Sequence, residues 1–336
     1  MKALAPCALL TALLAFSPHA HAEPDVAAAR ALLSSTVRPK PSDLRRAYGG
    51  TLPATNPFSH HFPAGYRAGA FNDFDQGMRH EHLLGHIRET LPKTIAHLEK
   101  AHPGATYAAL GRDVVQMSDA LEAYYSSIGQ PHRSVRIDAS TPSFTGNDKD
   151  IVSFVEQTTP LDYAKLHERP FVVYDNTRYG ASSQSRELMH ALYAGLHATG
   201  RASRDHADEL TLSTIYQFSR APMLPANAAM ADSTLAQHVA SEKTALGDSG
   251  LGPVNILRIP GMGYGLEWHG SFGPMVRTGD VVRTTPTPGG TPQSRESILW
   301  EAHEMLKIVE SPEFRAAVER ESQALGIQAP HHKGVN

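Results

Sequence analysis

The sequence predicts an α/β fold, with a core of parallel strands flanked by helices and extra helices at both ends. Three observations predict it. Tyr107–Leu110 and Phe171–Tyr174 are apolar throughout and do not alternate, as strands buried on both faces do not. Stretches with helical periodicity separate these runs, which is the βαβ pattern of a parallel sheet. Glycine and short polar residues stand at the junctions between strand and helix.

Taken in order, Val26 to Ser35 reads as a short helix, followed by turns and coil through Pro53, Pro57 and Pro63. From 75 to 102 the residues Met78, His82, Leu83, His86, Ile87, Leu91, Ile95 and Leu98 recur at helical spacing. Pro92 kinks or divides that stretch. Thr106 to Leu110 is the first strand, and Val114 to Ile128 is the next helix, with Gly129 as its C′ residue. Ser134 to Asp138 is a second strand, Asp148 to Gln157 a short helix, Phe171 to Asp175 a third strand, and Ser185 to Thr199 a helix. Helices are expected at Asp208–Arg220 and Ala229–Leu246, and strands at Val254–Ile259 and Asp280–Thr284. Two closing helices follow at Ser294–Ser311 and Pro312–Leu325.

The first 22 residues have the layout of a cleavable secretory signal. Lys2 is followed by an apolar run from Ala3 to Phe16, and Ala20-His21-Ala22 places small residues where a signal peptidase reads them. The expected destination is the periplasm or the exterior. The run is shorter than the roughly 20 residues a bilayer requires, so no membrane association is expected after cleavage. Cys7 is the only cysteine and lies in that leader, so the mature chain would have neither disulfides nor thiol chemistry. The expected organisation is a signal at 1–22, an N-terminal arm at 23–70, one α/β domain at 71–327 and a disordered tail at 328–336. A net charge of -3 gives no electrostatic case for nucleic acid.

Two loops carry the candidate chemistry. Parallel sheets hold ligands at the carboxyl ends of their strands. The first loop there contains Gly111, Arg112 and Asp113. The glycine lets the backbone approach a ligand, Arg112 offers a planar fork to an anion, and Asp113 caps the next helix. The second contains Asp175, Asn176, Thr177, Gly180, Ser182 and Ser183. Its hydroxyls and backbone N–H groups suit a phosphate on the following helix, and Asp175 is placed for a ribose hydroxyl or a metal. Both loops also read as ordinary turns with helix caps.

The segment Phe171 to Ser182 resembles the signature of the type I phosphoribosyltransferase family. That signature runs from an apolar strand through two acidic, two apolar and two small hydroxyl residues to glycine, any residue, and Thr or Ser. Val172 and Val173 match the strand, Asp175 the second acidic position, Gly180 the glycine and Ser182 the last hydroxyl. Tyr174, Asn176, Thr177, Arg178 and Tyr179 depart from it. The likeness covers roughly residues 105–200. It implies a phosphoribosyltransferase-like fold and a small phosphorylated or ribosylated ligand held by the second loop. It also implies that the Gly111 loop takes the place of the pyrophosphate loop. Asp175 would then act catalytically, orienting ribose hydroxyls through a divalent metal such as Mg2+. The departure at Tyr174 suits a binding or effector protein that keeps the scaffold without catalysis.

His82 and His86 share a helical face and suggest a third reading, a metal-dependent hydrolase. Gly261–Gly273 holds Tyr264, Glu267, Trp268 and His269. It reads either as a lid over a flat ligand or as a turn that buries Trp268 against the sheet. Neither a Gly-x-Ser-x-Gly elbow nor a Walker loop is present.

Overall fold

The structure is a computed structural model and describes residues 25–58, 84–85, 87–111, 115–140, 143, 148–159, 171–174, 212–218, 254–260 and 268–330. Five strands form one parallel sheet: β1 (Thr106–Leu110), β2 (Ser134–Ile137), β3 (Phe171–Tyr174), β4 (Leu212–Phe218) and β5 (Val254–Pro260). Their order is β2-β1-β3-β4-β5. The chain runs from β1 outward to β2, then crosses back to place β3 on the other side of β1. That reversal is the topological switch point of a doubly wound sheet. Thr106, Tyr107, Ala108 and Ala109 pair with Phe171, Val172, Val173 and Tyr174, so β1 and β3 end side by side. All five residues of β1 are buried, as its uninterrupted apolar run requires.

The described helices are α1 (Val26–Ala31), α2 (Pro41–Ala47), α3 (Leu91–Ala101), α4 (Val115–Ser127), α5 (Asp148–Thr158), α6 (Pro292–Val309) and α7 (Pro312–Ala324). Asp25 caps α1 by accepting the Ala28 N–H at 2.9 Å. Thr291 and Ser311 cap α6 and α7 in the same way, each followed by a proline in the first turn, where a missing N–H costs nothing. Pro92 likewise sits in the first turn of α3, while residues 87–89 before it are already helical. The proline thus divides the stretch. Gly129 takes a φ of 73° and closes α4, with the Gln130 N–H donating to the Tyr125 carbonyl at 2.7 Å.

One buried cluster joins the sheet to the terminal segments. Tyr107, Ala109 and Val172 meet Leu121, Tyr124 and Tyr125 of α4, Leu44 and Tyr48 of the N-terminal segment, and Leu299, Leu306 and Phe314 of the closing helices. Residues 25–58 thereby contribute fully buried side chains to the main core. On β2, Ser134 donates to the Ser118 carbonyl of α4 at 3.1 Å. Arg136, two residues on, shares that face, and Val135 and Ile137 point to the other.

Three expectations are corrected here. The segment 208–220 contains a strand, β4, and not a helix. The spacing of Leu212, Ile215 and Tyr216 fits a helix, but Thr214, Ile215, Tyr216 and Phe218 favour extended backbone. A seven-residue ladder with β5 satisfies that backbone. Helix α2 occupies part of the expected coil, started by Pro41 and by the Asp43 carboxylate, which accepts the Lys40 N–H at 2.9 Å. The strand at 281–283, β7, pairs with an unexpected neighbour, β6 (Val276–Thr278), across a tight turn in which Gly279 has a φ of 61°. The signal at 1–22 and the helices expected at 185–199 and 229–246 lie outside the described residues. So do His82, His86 and the tail from 331.

Candidate functional site

The carboxyl ends of β2, β1 and β3 lie next to one another on one rim of the sheet. Gly111 follows β1 directly. Its φ of 70° belongs to the left-handed region that glycine enters without strain, and its N–H donates to the Ile137 carbonyl of β2 at 3.1 Å. This bond carries the β1–β2 ladder one step past the strand and turns the chain toward α4. Arg112 and Asp113 lie outside the described residues, as do Asp175, Asn176, Thr177, Gly180, Ser182 and Ser183. What the fold supplies is the strand ends from which these two loops depart.

Of the Gly261–Gly273 loop, residues 268–273 are described. Trp268 is buried and donates its indole N–H to the Ser35 carbonyl at 2.9 Å. The Arg295 guanidinium lies 5.1 Å from its ring centroid and donates to the Leu33 carbonyl at 3.0 Å. Of the two readings of this loop, burial holds for Trp268, with the N-terminal segment and α6 as its partners. The glycines at 270 and 289 permit the crossing that puts it there. A Cβ on Gly289 would lie 2.5 Å from the Gly270 nitrogen.

His269 is also buried, beside Phe272, and desolvation lowers its pKa. His102 and His303 are buried and shifted the same way by the same cause. A depressed imidazole pKa means that the unfolded chain binds protons first as pH falls. The stability held by neutral histidine is therefore complete above the ordinary value of 6.5 and is lost as pH drops from there through the folded values. Glu122 works in the opposite sense, because burial raises its pKa and its contribution fades as pH rises through the folded value. Among the described residues three histidines stand against one carboxyl, which predicts a melting temperature that declines from about pH 7 to pH 5. Thermal melts across that range check it, and His303→Phe should flatten the decline. A melting temperature that rises toward pH 5 would refute the assignment.

Arg136, Asp138 and Arg38 at the β2 end of the rim escaped notice in the sequence. The signal was a charged residue inside a short strand: Arg136 is only 5% exposed. Asp138 follows β2 directly, and among the described residues none hydrogen-bonds its carboxylate. Among the described residues no three His, Cys, Asp or Glu side chains gather as a metal site, and no helix is long and apolar enough to cross a membrane. Comparison with protein-family models, curated proteins and solved structures found no match to this chain.

Proposed function

We propose that this exported chain binds a small phosphorylated or ribosylated molecule where β1 and β3 end. The observation that supports the reading is the pairing of those two strands, which starts the Gly111 and Asp175 loops from neighbouring positions on one rim. A crevice outside the carboxyl ends at a switch point is where doubly wound sheets take ligands. Arg112 would clamp one anionic group. Gly180, Ser182 and Ser183 would cradle a second with backbone N–H and hydroxyl donors, with Asn176 and Thr177 beside them. Asp175 would accept from ribose hydroxyls, as the phosphoribosyltransferase-like signature implies. The second reading, a binding protein without catalysis, is favoured by Tyr174, which ends β3 where that signature has an acid.

Thermal-shift titration with ribose 5-phosphate tests the site. The wild type is expected to gain several degrees at saturating ligand, with part of that gain lost in Arg112→Ala and in Asp175→Ala. Equal stabilisation of all three proteins would end the proposal. Release of pyrophosphate from phosphoribosyl pyrophosphate, assayed directly, separates a transferase from a binding protein.

A further inference from the structure

A cavity of about 450 Å3 opens between the N-terminal segment and the β2 end of the sheet rim. Four cations line it, Arg38, Lys40, Arg46 and Arg136, together with the carboxylates of Asp43 and Asp138. The two arginines nearest the sheet are buried. Arg38 donates from Nε and Nη2 to one oxygen of Asp119, at 3.0 and 2.7 Å. Arg136 donates from Nη2 to the Arg38 carbonyl at 2.6 Å and reaches the other Asp119 oxygen only at 3.9 Å. Its Nε has no hydrogen-bond partner among the described residues. Two buried guanidinium groups thus share one carboxylate. Burial raises the pKa of Glu122, the next carboxyl beside them. Buried cations without full compensation are costly unless an anion is supplied.

The rim adds to this field. Lys40 is the N-cap residue of α2 and Arg46 lies in its last turn, and Asp43 between them is already committed. It accepts the Lys40 backbone N–H at 2.9 Å and Arg46 Nη1 at 3.2 Å. The Asp138 carboxylate therefore remains as an acceptor. An acidic side chain at the end of the second strand of a βαβ unit is well placed for sugar hydroxyls. A lining that holds both these cations and the Asp138 carboxylate suits a phosphate ester with hydroxyls next to it.

We propose that this cavity is a second binding site, selective for a sugar phosphate. Arg38, Lys40, Arg46 and Arg136 provide the field for the phosphate, and Asp138 accepts from the hydroxyls. The site stands on residues 38–46 and 136–138 and does not depend on the Arg112 and Asp175 loops.

Calorimetry on the mature full-length chain at low ionic strength tests it, with inorganic pyrophosphate and ribose 5-phosphate as separate probes. Lys40 and Arg46 are not buried, so Lys40→Ala/Arg46→Ala should fold normally, which its melting temperature verifies. The double variant is expected to weaken both probes about tenfold or more. Asp138→Asn should weaken ribose 5-phosphate while leaving pyrophosphate equal or tighter, because it exchanges one of the two acceptor oxygens for an amide donor and removes a negative charge. Arg45→Ala is the control, since Arg45 is on the same helix but pairs with Glu310. Arg112→Ala should leave this site's share of binding intact, which separates it from the loop site. Wild-type affinity in the double variant, or no binding of either probe, overturns the proposal. An Asp138→Asn variant that binds ribose 5-phosphate as before overturns the sugar assignment.

Discussion

Glu99→Ala is expected to cost about 3–5 kcal/mol of stability, the usual penalty for stripping a buried cation of its partner. Glu99 and Arg133 are both more than nine-tenths buried. One Glu99 oxygen accepts from Arg133 Nη2 and from the Tyr125 hydroxyl, the latter at 2.6 Å. The other accepts the Gly104 N–H at 3.3 Å. Arg133 uses its remaining donors on the Ala105 carbonyl, at 2.5 Å, and on Gln130. Its guanidinium lies 4.6 Å from the Tyr125 ring centroid. Burial pushes the Tyr125 phenol well above its ordinary pKa and keeps it a donor. The network therefore ties α3, α4 and the turn before β2 to the amino ends of β1 and β2.

Removing the carboxylate leaves the guanidinium buried and uncompensated. Removing both charges does not: Glu99→Leu/Arg133→Met should recover most of the loss, since well-packed apolar pairs often replace buried ion pairs at little cost. Urea midpoints of the three proteins check this. A Glu99→Ala protein within about 0.5 kcal/mol of wild type would show that the network contributes nothing. Because the network lies at the end of the sheet opposite the ligand rim, the folded fraction of each variant should bind phosphate probes normally.

Trp268→Ala is expected to cost a similar amount, about 3–5 kcal/mol, for a large side chain removed from a packed interior. Its second effect is local. Trp268 and Arg295 together hold the Leu33 and Ser35 carbonyls, and Leu32 and Ser35 form part of the cavity wall beside β2. Loosening that wall should weaken pyrophosphate binding even below the melting transition. Trp268→Phe keeps most of the packing and loses the hydrogen bond, so about 1 kcal/mol is expected from it. If Trp268→Ala left stability unchanged but abolished binding, the side chain would be acting on the ligand directly, as a lid does, and the buried assignment would fall.

Much of the α/β framework was readable from local chemistry. The strands β1, β2, β3 and β5, the helix α4 with its Gly129 stop, and the two closing helices lie within a few residues of where periodicity and turn residues put them. Strand β4 was misread because a seven-residue run with two apolar neighbours fits either period, and only its ladder with β5 chooses between them. Gly111 was legible as a turn glycine for the same local reason that its φ is positive.

Composition and short-range pattern determined the α/β class, the positions of most strands and the Gly111 junction, because each depends on a few consecutive residues. Tertiary structure alone decided the strand order, and with it the adjacency of β1 and β3. It also decided which cations meet. Arg38 and Arg136 are 98 residues apart and share Asp119, while Trp268 reaches Ser35 across 233. Such contacts are selected by burial and by the need to satisfy buried polar groups, which no local period encodes.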